Sequence, residues 1–379
     1  MTPSTITSHI PHMLRALIII YVAQTARACS PDRWFDTCAL PCTRALVEEG
    51  RLAATRGGIA VVTWADRNYV PMLTQHWLPR VEAAGFGALV VAADESTVQA
   101  ARQAGARAVL LAPTPPGSLG TECPLGSHGT GECMRRYHLF SYTKLSVPRC
   151  LVEAGLEVLA LDADAFLTGD VVALARASGA HVATIMDSQS SYRGFGELSY
   201  QGEDSWGLPF AMRRSLGGGG ARLGHCLGVA FFRGPAAAAL LLRTQHTFIA
   251  VATAWWWGNA SSASHLPWAA QPTRTLVQRA FAWELASWMR ETRHRASLDD
   301  LRDAFRRARS SCDAQVVSMP AAGSLPALRV AYLPHDGTVE PADLNQRWCR
   351  RVSCANASWV VHCFGTVVEK MECAHKNTE

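Results

Sequence analysis

Residues 158–167 read Val-Leu-Ala-Leu-Asp-Ala-Asp-Ala-Phe-Leu. Four apolar residues run straight into two carboxylates, Asp162 and Asp164, at i and i+2. An uninterrupted apolar run of this length predicts a strand buried on both faces, as in parallel sheets covered by helices. If the strand continues through the carboxylates, both point the same way, because alternate residues of a strand share a face. In open parallel sheets, ligands bind beyond the carboxyl ends of the strands. Two carboxylates there suit a hard dication, Mn²⁺ or Mg²⁺. Such an ion takes phosphate oxygens as further ligands and offsets the charge on a departing diphosphate.

Working outward, the flanking segments alternate in type. Ile59 to Thr63, Ala88 to Ala92 and Ala108 to Leu111 are β-branched or apolar runs and read as strands. Between them, Val70 to Ala84 and Glu95 to Ala104 have helical periodicity and stop at Gly85 and Gly105. Strand, helix, strand, helix, strand at this spacing predicts a parallel sheet with right-handed crossovers. Further on, Arg135 to Ala154 reads as a helix, His181 to Met186 as a strand ending at Asp187, and Gly228 to Phe232 as another strand. Ala236 to Thr253, Leu276 to Thr292 and the charged Leu298 to Arg309 read as helices. Gln315 to Ser318, Leu328 to Tyr332 and Trp359 to Val361 read as short strands. Cys38 and Cys42 are expected on one face of a helix running to Ala54, each bonded to a distant cysteine. Long Gly- and Pro-containing loops are expected at residues 113–131 and 188–224.

Composition narrows the class. A chain of 379 residues that is 49% hydrophobic and 18% charged folds around a core and is not disordered. A net charge of +5, part of it from Arg15 and Arg27 near the N-terminus, is too mild to argue for a nucleic-acid partner. No G-x-G-x-x-G follows the first strand, and no Gly-Lys-Ser/Thr follows Gly217 to Gly220. Gly-x-Ser-x-Gly, His-Glu-x-x-His and Cys-x-x-Cys are absent, which removes the commonest serine and zinc hydrolases and zinc ribbons. Residues 1–28 have a secretory leader's order: Arg15, an apolar run from Ala16 to Ala23, then Ala26-Arg27-Ala28. The alternative is a short uncleaved anchor, the only membrane contact the sequence suggests. Asn259 and Asn356 lie in glycosylation sequons, and the twelve cysteines suit disulfides in the secretory pathway, with the Golgi lumen as the expected site or secretion as the alternative. Residues 29–57 read as a cysteine-containing cap or stem, and residues 58–375 as one domain.

Strand-Asp-x-Asp, preceded by Glu153-Ala-Gly-Leu-Glu-Val158 and followed by Phe166-Leu-Thr-Gly-Asp170, resembles the nucleotide-diphospho-sugar transferases of plants and algae. That family includes retaining arabinosyl-, xylosyl- and galactosyltransferases of the GT-A fold. The resemblance runs over roughly residues 58–370 and implies a GT-A-like, Rossmann-like, mostly parallel α/β domain with helices on both faces. It implies a UDP-linked or similar nucleotide-sugar donor, Mn²⁺ or Mg²⁺, and a glycan or hydroxyproline-rich glycoprotein acceptor. By the same resemblance, Asp162, Asp164 and His362 are metal ligands, with Asp162 alternatively on the ribose. Lys370 and Lys144 face the diphosphate, Arg136 being the alternative to Lys144. Gly365 lets the backbone approach the diphosphate. Asp66 and Asn68 contact the nucleotide. Asp187 or Gln189 stands near the reacting carbon. Gln278 and Trp256 contact sugar or acceptor, the alternative for Trp256 being core packing.

The chain departs from the family pattern in three places. Cys226-Leu-Gly228 stands where Asn-x-Gly is usual, and Val277-Gln-Arg-Ala-Phe-Ala282 lacks an Asp and an Asn. A carbohydrate-binding relative without catalysis is therefore one alternative. A secreted metal-dependent phosphohydrolase using the same carboxylates is another.

Overall fold

Helix α1 (Arg44–Ala54) begins where the Thr43 side chain accepts the Leu46 N–H, satisfying one of the donors that a helix start leaves orphaned. This computed structural model describes residues 42–110, 132–188, 223–257, 276–292, 304, 307–308, 311–334, 349–354, 357–363 and 367–376. Cys42 precedes α1 instead of lying on it, because the Thr43 cap starts the helix one residue later. It is bonded to a distant cysteine, Cys150, with the Cα atoms 5.3 Å apart. α1 buries Leu46 and Ala53 against the first strands. The described part of residues 29–57 is thus packed onto the sheet and tied by its disulfide to the helix that carries Cys150.

The expected strand–helix alternation comes next. β1 (Ala60–Ala65) leads into residues 67–83, which form α2. This helix opens with a 3-10 turn, Arg67–Tyr69, and contains a π-helical stretch, Leu73–Trp77. Pro79 has no N–H to donate to a preceding carbonyl, and the ladder widens just before it. β2 (Gly87–Ala92), α3 (Glu95–Gln103) and β3 (Arg107–Leu110) complete the series. The 22-residue α4 (Glu132–Glu153) accommodates Pro148 within it and precedes β4 (Val158–Leu161). β1, β2, β3 and β4 pair in parallel, as their connections require.

The rest of the chain turns this into a mixed sheet. Short β5 (Ala165–Leu167) and α5 (Val171–Ala177) precede β6 (Val182–Ser188). β7 (Leu223–Phe232) starts five residues before the expected Gly228 and runs antiparallel between β4 and β6. α6 (Gly234–Trp257) and α7 (Leu276–Glu291) come next, then β8 (Gln315–Met319) and β9 (Leu328–Tyr332). The sheet order is β3-β2-β1-β4-β7-β6-β9-β8. Only β7 and β8 oppose the common direction, so the expected mostly parallel α/β sheet is the one observed. β1 and β4 are buried along their whole length, so both faces of the sheet are covered.

A second sheet is present that local patterns do not announce. β10 (Cys349–Cys354) and β11 (Ala357–Cys363) form an antiparallel pair that adds β5, in the order β10-β11-β5. α8 (Val367–Lys376) comes after it, held to β11 by the Cys363–Cys373 disulfide. This small sheet stands at the end of β4, because β5 begins four residues after it.

The 1–28 leader, the sequons at Asn259 and Asn356, and the loop at 113–131 lie outside the described residues. So does nearly all of the expected Leu298–Arg309 helix and of the 188–224 loop. Among the described residues, no helix is long and apolar enough to cross a membrane.

Candidate functional site

The two carboxylates converge for a different reason than strand alternation. β4 ends at Leu161, and Asp162-Ala163-Asp164 forms a turn closed by the Ala165 N–H donating to the Asp162 carbonyl at 2.8 Å. The turn feeds β5, so the chain folds back instead of entering a helix. β11 pairs with β5 and places His362 opposite Ala165. The Cys363 N–H donates to the Asp164 carbonyl at 2.8 Å and locks β11 against the turn. Asp162, Asp164 and His362 thereby offer three ligand atoms within 4.8 Å of one another. His362 Nε2 lies 3.1 Å from Asp164 Oδ1 and 3.9 Å from Asp162 Oδ2.

Two ammonium groups balance the carboxylates. Lys144, from α4, pairs with Asp162. Lys370, from α8, lies 2.5 Å from Asp164 Oδ2 and donates to the Tyr69 hydroxyl at 3.0 Å. Burial alone would raise the Asp164 pKa, but Lys370 and His362 hold its carboxyl well below the usual carboxylate range. Burial opposes a charge on His362, but Asp164, and then Cys226, push it up to about 10. Lys144 and Lys370 are likewise desolvated, yet their carboxylate partners hold both above the ordinary lysine value. Asp162 is the outer carboxylate, its side chain 23% exposed against 10% for Asp164.

Gly228 lets the Asp162 and His362 side chains close in on the backbone of β7. A Cβ there would stand 2.6 Å from Asp162 Oδ2 and 2.7 Å from His362 Cε1, closer than real Cβ contacts come. The Gly228 carbonyl also accepts the Asp162 N–H at 2.9 Å. The β6–β7 register slips between Thr184 and Ile185, and Thr184 Oγ1 fills the slip by donating to the Cys226 carbonyl at 2.9 Å. That irregularity sets the path of β7 past the cluster. Two carboxylate oxygens and one imidazole nitrogen fit a hard or borderline dication, and Gly228 lets two of the three side chains converge.

The remaining candidates are spread over other elements. Asp66, buried at the end of β1, accepts from the Asn68 N–H at 2.9 Å and the Asn68 Nδ2 at 3.3 Å, capping the next turn. Asn68 itself is exposed. Asp187 lies near the end of β6, paired in register with Gly224. Gln189 and Gly365 lie outside the described residues. Gln278 is half-buried on α7, and its Oε1 has no hydrogen-bond partner among the described residues. Trp256 donates its indole N–H to His138 Nδ1 at 2.9 Å in the α4–α6 contact, so that donor is unavailable to a sugar. Sequence reasoning misses Tyr69, since no feature of its local sequence marks it. It meets Gly228 only as part of Cys-Leu-Gly, and the role of that glycine needs the contact with Asp162 and His362.

This geometry gathers two carboxylates, an imidazole and two ammonium groups, a set that could hold a metal ion, at the carboxyl edge of an α/β sheet. The model of the nucleotide-diphospho-sugar transferase family matches residues 87–277, about half of the chain, and the chain belongs to that family. The match takes in β2 through the start of α7, a shorter span than residues 58–370. A search of curated proteins finds no match. Among solved structures, the chain is similar to the galactosyltransferase LgtC in complex with donor and acceptor sugar analogues. That match has 13% identity, covers 84% of this chain and 96% of that one, and has a TM-score of 0.34. The chain is also similar to the bifunctional glycosyltransferase WbbM in its apo form, at 14% identity over 59% of this chain, with a TM-score of 0.31. The chain spans 37% of the length of that WbbM structure.

Proposed function

We propose that this chain is a divalent-metal-dependent glycosyltransferase of the GT-A type. It moves a sugar from a UDP-linked donor to a hydroxyl of a glycan or hydroxyproline-rich glycoprotein, with retention at the anomeric carbon, in the lumen of the secretory pathway. The observation that carries the reading is the convergence of Asp162, Asp164 and His362 beside Lys144 and Lys370.

Charge balance explains why a metal and a diphosphate belong together here. Two carboxylates and two ammonium groups cancel when the imidazole is neutral. A dication alone would leave the buried cluster positive, and a diphosphate restores neutrality. When bound, Mn²⁺ or Mg²⁺ supplies Lewis-acid stabilisation of the leaving diphosphate. Asp164 and His362 hold the inner side of that site, and Asp162 the outer side. Lys144 and Lys370, already fixed by carboxylates, are placed to turn toward phosphate oxygens as point charges. Gly365 would let the backbone approach the same diphosphate, and Asp66 and Asn68 would meet the nucleoside. Asp187 or Gln189 would stand at the reacting carbon, and Gln278 Oε1 would accept from a sugar hydroxyl.

The test is calorimetric titration of UDP and a panel of UDP-sugars with and without Mn²⁺, then assay of UDP release. Metal-dependent binding of at least one donor, with slow hydrolysis, is expected. Absence of binding to every donor in the presence of Mn²⁺ would overturn the proposal. Tight binding with no turnover on any acceptor would instead identify a binding protein.

A further inference from the structure

Cys226 is a buried, free thiol in a chain that does form disulfides: Cys42, Cys133, Cys150, Cys312, Cys363 and Cys373 are all bonded. Its Sγ lies 3.7 Å from His362 Nδ1, on the side of the ring away from the carboxylates. The imidazole is therefore held at both nitrogens. Nε2 faces Asp164 and Asp162, and Nδ1 faces sulfur. The sulfur is not placed by chance packing of a loop. Its backbone carbonyl accepts from the buried Thr184 hydroxyl, and two residues on, Gly228 abuts the same histidine.

A histidine ligates a metal through a nitrogen lone pair, and the hydrogen bond at its other nitrogen sets which one is free. For Nε2 to present its lone pair to an ion between the carboxylates, the proton must sit on Nδ1. At Nδ1 the structure places the Cys226 sulfur within hydrogen-bonding distance. Carboxylates or carbonyls usually take this place. Sulfur is a weak acceptor, but in a buried site any partner counts against an unsatisfied N–H.

We infer that Cys226 is a positioning residue: its sulfur accepts the Nδ1–H of His362 and so aims the Nε2 lone pair at the ion held by Asp162 and Asp164. This inference rests on the metal reading of that cluster. It gives the thiol a role one step behind the ligands, and it predicts that Cys226 does not itself touch the metal.

The experiment compares the wild-type chain with Cys226→Val, which fills similar volume without an acceptor, and with Cys226→Ser, which restores one. Cys226→Ala replaces the valine variant should that fail to fold. Mn²⁺ affinity is measured by electron paramagnetic resonance without donor, and each variant's thermal midpoint is recorded beside it. The valine variant is expected to bind Mn²⁺ about 10- to 100-fold more weakly, the usual effect of losing an outer partner of a ligating histidine. The serine variant is expected to recover most of that loss. Equal loss in both variants would assign the effect to packing and overturn the inference. Wild-type affinity in the valine variant would overturn it while leaving the metal reading intact. If the wild-type chain binds no Mn²⁺ at all, the metal reading falls first. Co²⁺ loading supplies a second readout: a thiolate-to-Co²⁺ charge-transfer band lost in the serine variant would make Cys226 a direct ligand and also overturn the inference.

Discussion

The ends of β1 and β2 and the end of β4 share one edge of one sheet, and each carries aspartate, yet they use it in opposite ways. After β1 and β2 the chain enters a helical turn. Asp66 accepts from Asn68, and Asp94 accepts the Thr97 and Arg67 N–H groups, both at 2.9 Å. Helix starts leave backbone donors unpaired, and the nearest carboxylate is drawn into capping them. After β4 the chain turns back into β5. No helix start competes for Asp162 and Asp164, and their partners are side chains from α4, β11 and α8. The element after a strand, helix or second strand, separates the aspartates that cap a backbone from those that pair with distant side chains.

The sharpest way to break this contrast is to neutralise one aspartate of each kind. Asp164→Asn removes the charge opposite Lys370 and His362. Mn²⁺ affinity, measured by calorimetry, should fall more than about 100-fold, beyond the effect typical of an outer partner. Asp66→Asn keeps an equally good cap, so stability should change by less than about 0.5 kcal/mol. Its Mn²⁺ affinity should stay close to that of the wild type. Equal losses from the two substitutions would erase the distinction.

Gly228→Ala tests whether the β4 end needs close approach to the backbone of β7 as well as charge. The added methyl meets Asp162 and His362. Metal affinity should drop about tenfold or more, with an overpacking cost of about 1–3 kcal/mol read from urea unfolding.

His225, near the start of β7 on the same edge, shows a third case: a buried polar ring that, among the described residues, packs against two aromatic rings. It stacks on Tyr332 and meets Phe281 edge-on, and its Nδ1 has no hydrogen-bond partner among the described residues. Burial pushes its pKa down to about 4. Between that value and the unfolded value near 6.5, the unfolded chain binds more protons, so stability falls as pH drops through the window. The loss between pH 7 and pH 5 should be about 2 kcal/mol at most. Urea unfolding at the two pH values, with His225→Phe as the comparison, should show that this part of the slope disappears.

Much of the parallel half is legible in the sequence. The strands around Ile59, Ala88 and Ala108 and the helices between them arise from local periodicity and glycine stops, and each pairs with a neighbour close in sequence. Of the small sheet only β11 is legible, as the strand read at Trp359 to Val361. β5 has three residues, and β10 becomes a strand only because β11 lies beside it. The turn at Asp162 reads as strand for a related reason. Alternation and a tight turn both bring i and i+2 together, and the apolar run before them is the same in either case. Trp256 is open between sugar contact and packing, and only the position of His138 on another helix assigns its N–H.

The sequence by itself determined an α/β sheet and a pair of carboxylates at the end of one buried strand. Those arise from local patterns of apolar side chains, turns and charge. The family resemblance named His362, Lys144 and Lys370 beside them, and only the tertiary structure shows these carboxylates paired with all three. Lys144 is 18 residues from Asp162, and His362 is 198 from Asp164. No local propensity links groups so far apart. They meet because burying both faces of the sheet, and pairing β5 with β11, leaves the chain one place to put them.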